Sequence, residues 1–159
     1  MNKRALIGKI IAQLDAELEG YAKSARSAHA EATDEQSKAE NKYDTRGLEA
    51  SYLARGQSRQ AAESAQARQQ FEELSLREFG PDDPIDLSAL VELEGDGART
   101  LYFIGPRAGG AEVLHEKKLV LVITPQSPLG QQLIDRKAGE RLQITMGGAR
   151  RDYRIVSVA

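Results

Sequence analysis

Chemistry in this chain falls to carboxylates and basic side chains, because the residues that carry most enzymatic and metal chemistry are scarce. There is no cysteine, and there are only two histidines in 159 residues. That rules out disulfides, thiolate nucleophiles and cysteine zinc sites. His29 falls beside the seam of a helical stretch and His115 in a β connection, and neither has a partner at ligand spacing. Gly109-Gly110 is not a phosphate loop, since no Lys-Ser/Thr follows it ahead of a helix. What remains is an acidic concentration. From Glu31 to Glu49 there are six carboxylates and three Lys/Arg, so this polar connection is locally negative. A charged connection is commonly a solvated turn, and its meaning depends on the elements that carry it.

Those elements change character near Gly80. Before it the chain has no proline and glycine only at positions 8, 20, 47 and 56; after it come all five prolines and most of the glycines. In the first half Ile7, Ile11, Leu14, Leu18, Tyr21, Ala25, Ala28 and Ala32 advance in steps of four and three, an a/d seam over more than three heptads. This predicts a helix from about Lys3 to Thr33, roughly 45 Å long. A second helix is expected after Tyr43-Asp44-Thr45, running to about Phe79, with a thinner seam of Ala50, Ala54, Gln57, Ala61, Ser64, Phe71 and Leu74. Large residues at its far end match Leu6, Ile7, Ile10 and Ile11 at the start of the first helix, and small residues match small ones near the connection. Matched gradients of this kind fit an antiparallel helical hairpin; a parallel homodimeric coiled coil is the alternative.

The second half opens with Gly80-Pro81-Asp82-Asp83-Pro84, a turn-forming hinge. It divides the chain into 1–79, the hairpin, and 80–159, a small β domain. Strands are expected at Ala89–Leu93, Thr100–Ile104, Leu119–Ile123, Leu142–Met146 and Tyr153–Val158, with hairpin turns at Gly95-Asp96-Gly97 and Gly147-Gly148. Residues 105–116 read as a long polar connection. Between the third and fourth strands, Ser127 can cap a short helix with Pro128 at its first position. About five antiparallel strands and one short helix make the fold class α+β.

Lys and Arg total 22 against 24 Asp and Glu, and the two halves each carry −1, too balanced to wrap nucleic acid by bulk charge. No apolar run is long enough to span a membrane. The N-terminus lacks a long apolar stretch, so no secretory signal is expected, and a cytoplasmic location follows as the expectation.

In this order the parts resemble the bacterial Gre transcript cleavage factor family. The resemblance covers nearly the whole chain and rests most on residues 123–134, reading Ile-Thr-Pro-Gln-Ser-Pro-Leu-Gly-Gln-Gln-Leu-Ile, followed by Ala138-Gly139-Glu140. The Gly147-Gly148 turn and Tyr153-Arg154-Ile155-Val156-Ser157-Val158 resemble the family's ending. The resemblance implies an FKBP-like C-terminal domain that docks at the mouth of the RNA polymerase secondary channel through Ser127, Pro128 and Leu129. It implies a helical hairpin that enters the channel as a monomer, with no membrane partner. The hairpin tip would bring acids to the polymerase's own active site, near the RNA 3′ end. There carboxylate oxygens suit a shared Mg²⁺, a hard cation, and the factor holds no cofactor of its own and is not itself an enzyme.

Glu40-Asn41 and Tyr43 are similar to the family's Glu-Asn and following aromatic, while Ser37 stands where the family carries its first acid. Asp34, Glu35 and Asp44 are the nearby acids that could serve instead; Asp44 equally suits the N-cap of the second helix. Two outcomes follow from the resemblance, namely cleavage of backtracked RNA or occupation of the channel without cleavage. Arg55 and Arg59 could meet RNA or polymerase acids, or be solvated. Outside that reading, an FKBP-like prolyl isomerase would need an aromatic-lined pocket, for which Tyr102 and Phe103 point to opposite faces of one strand. A purely structural coiled-coil oligomer is the third class.

Overall fold

The computed structural model describes residues 1–33 and 46–159, with side-chain environments for all of these except 25, 28–33, 46–55, 57, 58 and 146. The elements run α1 (Lys3–Thr33), α2 (Arg46–Glu72), β1 (Leu90–Gly95), β2 (Ala98–Ile104), β3 (Glu112–His115), β4 (Lys118–Ile123), α3 (Pro128–Leu133), β5 (Arg141–Met146) and β6 (Ala149–Val158). The fold is α+β. It divides into two compact units, one of Met1–Ile10 with Gln70–Ala159 and one of Ile11–Gln69.

In the helical unit the expected seam appears as burial of Leu14 on α1 and of Ser64 on α2, and Ala67, outside that seam, is buried as well. The Arg68 guanidinium of α2 pairs with the Asp15 carboxylate of α1. On α1 itself, Arg26 lies 3.5 Å from Glu19, both largely exposed, so this pair adds little.

In the other unit, the first turn of α1 is fixed at its start. The Asn2 side-chain oxygen accepts the Ala5 N–H at 3.1 Å, satisfying one of the donors a helix leaves open at its N-terminus. The sheet has six strands in the order β3-β4-β2-β1-β6-β5. The pleat gives it two buried faces. One carries Val91, Leu93, Tyr102, Ile104, Ile155 and Ile144, packed with Leu129 and Leu133 of α3 and with Phe79 and Ile85. The alternate positions, Leu90, Leu101, Phe103, Val113, Val120 and Val122, are also buried. Phe71 packs against Gly105 after β2, where an added Cβ would stand 2.9 Å from the ring.

Three expectations are corrected here. The sheet is mixed, because β2 and β4 pair in parallel. The chain leaves β2, skips one strand position and comes back as β3; β4 then folds antiparallel onto β3 in the gap, which forces it parallel to β2. There are six strands, β3 lying inside the expected polar connection. And α2 ends at Glu72, not near Phe79. The extended segment that follows carries Phe79 into the core, while the Arg77 N–H is taken by the Ser88 hydroxyl oxygen at 3.1 Å.

The three hairpins turn on two residues each, both with positive φ: Asp96-Gly97 (52° and 73°), Glu116-Lys117 (49° and 64°) and Gly147-Gly148 (59° and 79°). This left-handed geometry matches the twist of the strands. A two-residue turn makes its flanking residues a hydrogen-bonded pair, so the next pair directs its backbone groups outward. At each of the two sheet edges one of those outward groups is covered. Lys9 of α1 donates to the Leu114 carbonyl of β3 at 3.1 Å, and the Gln132 side chain of α3 accepts the Thr145 N–H of β5 at 3.3 Å.

Candidate functional site

Ser127, Pro128 and Leu129 form one turn beyond β4. The Thr124 carbonyl oxygen accepts both the Ser127 N–H (3.1 Å) and the Ser127 hydroxyl (2.7 Å). Ser127 Oγ in turn accepts the Gly130 N–H at 3.0 Å, capping α3 as expected. Pro128 takes the first helical position, where its missing N–H is no loss. A Cβ on Gly130 would lie 1.9 Å from the Thr124 carbonyl oxygen, so only glycine lets the helix begin this close to the strand. Leu129 is buried in the core with Leu133, while Gln126 and Pro128 are exposed. The surface offered here is therefore Gln126, Pro128 and the edge of Ser127, with Leu129 anchoring it from beneath.

Lys3 is a buried charge, with 7% exposure. Its Nζ donates to the Arg77 carbonyl and, at 3.2 Å, to the Ser88 carbonyl, and lies 4.9 Å from the centroid of the Phe79 ring. Burial holds its pKa below the usual lysine value, with the Glu78 carboxylate opposing. Ser88 is fully buried with φ 73°, so the ammonium ties α1 to the strained residue that precedes β1. An ammonium enclosed in this way is structural.

A charged row that sequence reasoning missed crosses four strands. Register places Arg99 (β2) opposite Glu94 (β1), Glu94 opposite Arg154 (β6), and Arg154 opposite Arg141 (β5). Arg99 Nε donates to Glu94 at 2.8 Å and Arg154 approaches it to 3.6 Å. The hydrogen bond from Arg99 is the main cause of a Glu94 pKa below the ordinary carboxylate value, with desolvation opposing it and the charges of both arginines reinforcing it. Arg141, Tyr153, Arg154 and Glu94 help line an open depression of about 490 Å³. The signal for the row was Arg154 in β6 facing Arg141 in β5, legible only once the register is known.

Tyr102 and Phe103 are both buried, and burial is the main reason that the Tyr102 pKa lies above its ordinary value. No aromatic side chain lines a second depression of about 520 Å³ beside Arg99, Lys118 and Leu119. Neither depression is the aromatic pocket that a prolyl isomerase needs. His115 is buried at the end of β3, with both ring nitrogens lacking a hydrogen-bond partner among the described residues. No group of three or more His, Asp or Glu among the described residues could hold a metal. Arg59 is exposed. The expected tip residues Asp34, Glu35, Ser37, Glu40, Asn41, Tyr43 and Asp44 lie outside the described residues, as does the Arg55 side chain. No described helix is long and apolar enough to cross a membrane.

No protein-family model and no curated protein matches the chain. Among solved structures it is similar to GreA factor homolog 1 (Gfh1) of Thermus thermophilus, at 22% identity over 94% of each chain with a TM-score of 0.40. It is also similar to Gfh1 of Thermus aquaticus, at 23% identity over 95% of this chain and 92% of that one, TM-score 0.41. A third similarity is to a GreA/GreB transcription elongation factor of Nitrosomonas europaea, at 17% identity over 74% of this chain and 95% of that one, TM-score 0.37.

Proposed function

We propose that the chain is an accessory factor of bacterial RNA polymerase, of the Gre kind, acting through the polymerase's secondary channel. In this reading α1 and α2 form an antiparallel coiled-coil hairpin that enters the channel, and residues 80–159 are an FKBP-like domain that docks at its rim. The observation that supports it best is the Thr124–Gly130 turn. Serine, proline and glycine each have a distinct job there, set by the capping bonds and by the 1.9 Å at which a Cβ on Gly130 would meet the Thr124 carbonyl oxygen, and the same residues carry the sequence resemblance. The 31- and 27-residue helices that precede the sheet fit the same reading.

The tip acids Glu40, Asp34, Glu35 and Asp44 would add carboxylate oxygens beside the Mg²⁺ that the polymerase holds, assisting cleavage of backtracked RNA. Two-metal hydrolysis of RNA is the chemistry such an ion supplies. A second reading, a channel binder that slows the polymerase without cleavage, is favoured by Ser37, a neutral hydroxyl where the family has an acid. Stalled elongation complexes incubated with the protein and Mg²⁺ test both. Shortened transcripts, lost in Glu40→Ala, support the first reading; intact transcripts with slowed nucleotide addition support the second. Failure to co-migrate with core polymerase refutes both.

A further inference from the structure

Burial is confined to one end of the helical unit. Among its residues with described surroundings, only Leu14, Ser64 and Ala67 are buried, all close to the limits of the unit at Ile11 and Gln69. The Arg68–Asp15 pair falls in the same band. Farther along, Leu18, Tyr21 and Ala22 on α1 and Ala61 on α2 are half-buried. Every other described residue beyond Leu18 on α1 and before Ser64 on α2 is exposed.

This outer stretch is weak by composition as well. Gly20 and Gly56 each stand inside a helix, where glycine is less favourable than alanine. A Cβ at either position would meet nothing within 4 Å, so neither glycine is there to let another element approach. The last turn of α1 holds no basic side chain to offset the helix dipole. Helices in proteins owe most of their stability to a packed face, and half-covered Leu18 and Tyr21 gain only part of what full burial gives.

We propose that the helical unit opens in two steps. The stretch beyond Leu18 on α1, together with the stretch before Ser64 on α2, unzips and recloses as a local unit while the band at Leu14, Ser64 and Ala67 stays shut. Local opening of this kind needs only the free energy of the part that moves. In the polymerase reading above, the channel walls enclose this stretch, so entry closes it and ordering is coupled to binding. That last clause rests on the polymerase reading; the opening itself is a property of the isolated chain.

The test is hydrogen exchange of the full chain, followed peptide by peptide by mass spectrometry and corrected for intrinsic rates. In the wild type, amides at 22–27 and 59–62 are expected to exchange at least about 100-fold faster than those at 12–15 and 65–68. Gly20→Ala/Gly56→Ala should slow the outer amides by about 20-fold, from the helix preference of two alanines over two glycines. The control is Gly8→Ala, a helical position outside the opening stretch whose added Cβ also meets nothing within 4 Å. It should leave the outer rates within about twofold, because residue 8 does not take part in the local opening. Even protection along both helices overturns the proposal. So does an outer stretch that responds to Gly8→Ala as strongly as to the double variant, since exchange would then require unfolding of the whole chain. With core polymerase added, the outer amides should slow further. Co-migration without added protection overturns the coupling to binding, whereas failure to co-migrate refutes the polymerase reading and leaves the opening standing.

Discussion

Replacing Gly130 by alanine tests the claim that the Ser127 turn is built around a missing side chain. The new Cβ would lie 1.9 Å from the Thr124 carbonyl oxygen and 2.9 Å from Ser127 Oγ. The obstacle is strand-end backbone, which cannot rotate out of the way as a side-chain tip would. Relief requires a shift of about 1 Å, because real Cβ contacts stop near 3.0 Å. Overpacking of this kind costs about 1–3 kcal/mol. Moving α3 away from Thr124 also stretches the cap from Ser127 Oγ to the Gly130 N–H, which contributes about 1 kcal/mol. A loss of about 3 kcal/mol lowers the melting temperature by about 6–12 °C in a chain of this size. The control is Gly109→Ala, on the other side of the same threonine. Its Cβ would stand 3.5 Å from Thr124 Cγ2, an ordinary contact, and the change should stay within about 0.5 kcal/mol. Urea unfolding followed by tyrosine fluorescence, which suits a chain without tryptophan, reads both. Coincident midpoints for the two variants would refute the steric argument.

Lys3→Met leaves the Arg77 and Ser88 carbonyls without their donor and is expected to cost about 2 kcal/mol at pH 7. Burial lowers the Lys3 pKa in the folded protein, so the unfolded chain holds its proton to higher pH. Wild-type stability from this group therefore rises between the depressed value and 10.5. The deficit of Lys3→Met should widen over that window in denaturation series at fixed pH, and a narrowing deficit would contradict the assignment. Glu116→Asn/Lys117→Gly rebuilds the β3–β4 turn from residues that adopt positive φ readily. Since each left-handed non-glycine residue carries about 1 kcal/mol of strain, the melting temperature should rise by about 3 °C per kcal/mol recovered, and a fall would show that these side chains stabilise the turn.

The legible parts of the sequence were those whose cause is local. A seam with a period near 3.5 gave α1 its limits of Lys3 and Thr33, and Ser127-Pro128 marked the start of α3. Glycine turns marked two of the three hairpins. The third was hidden because Glu116-Lys117 adopts the same backbone without a glycine, so β3 read as polar connection. The parallel pairing of β2 with β4 followed from that omission, since the direction of β4 is set by the strand it folds against. The end of α2 was lost for a different reason. Residues 73–79 have helical composition, and only the burial of Phe79 on the far side of the sheet demands an extended path. The arginine row depends on register across four strands, which no single segment encodes. The acidic connection stood out in the sequence, but its expected roles fall on residues the structure does not describe.

The covered rims of the sheet have a consequence for how the protein behaves when crowded. An open strand margin is a template on which a second copy can add itself indefinitely, and β3 would be a tempting one, with Leu114 and Leu119 showing 66% and 49% of their surface beside it. One amine from α1 and one amide from α3 each stopper one margin at the second residue before the turn. Because both stoppers belong to helices, these two positions are guarded against edge-to-edge addition only while those helices are seated.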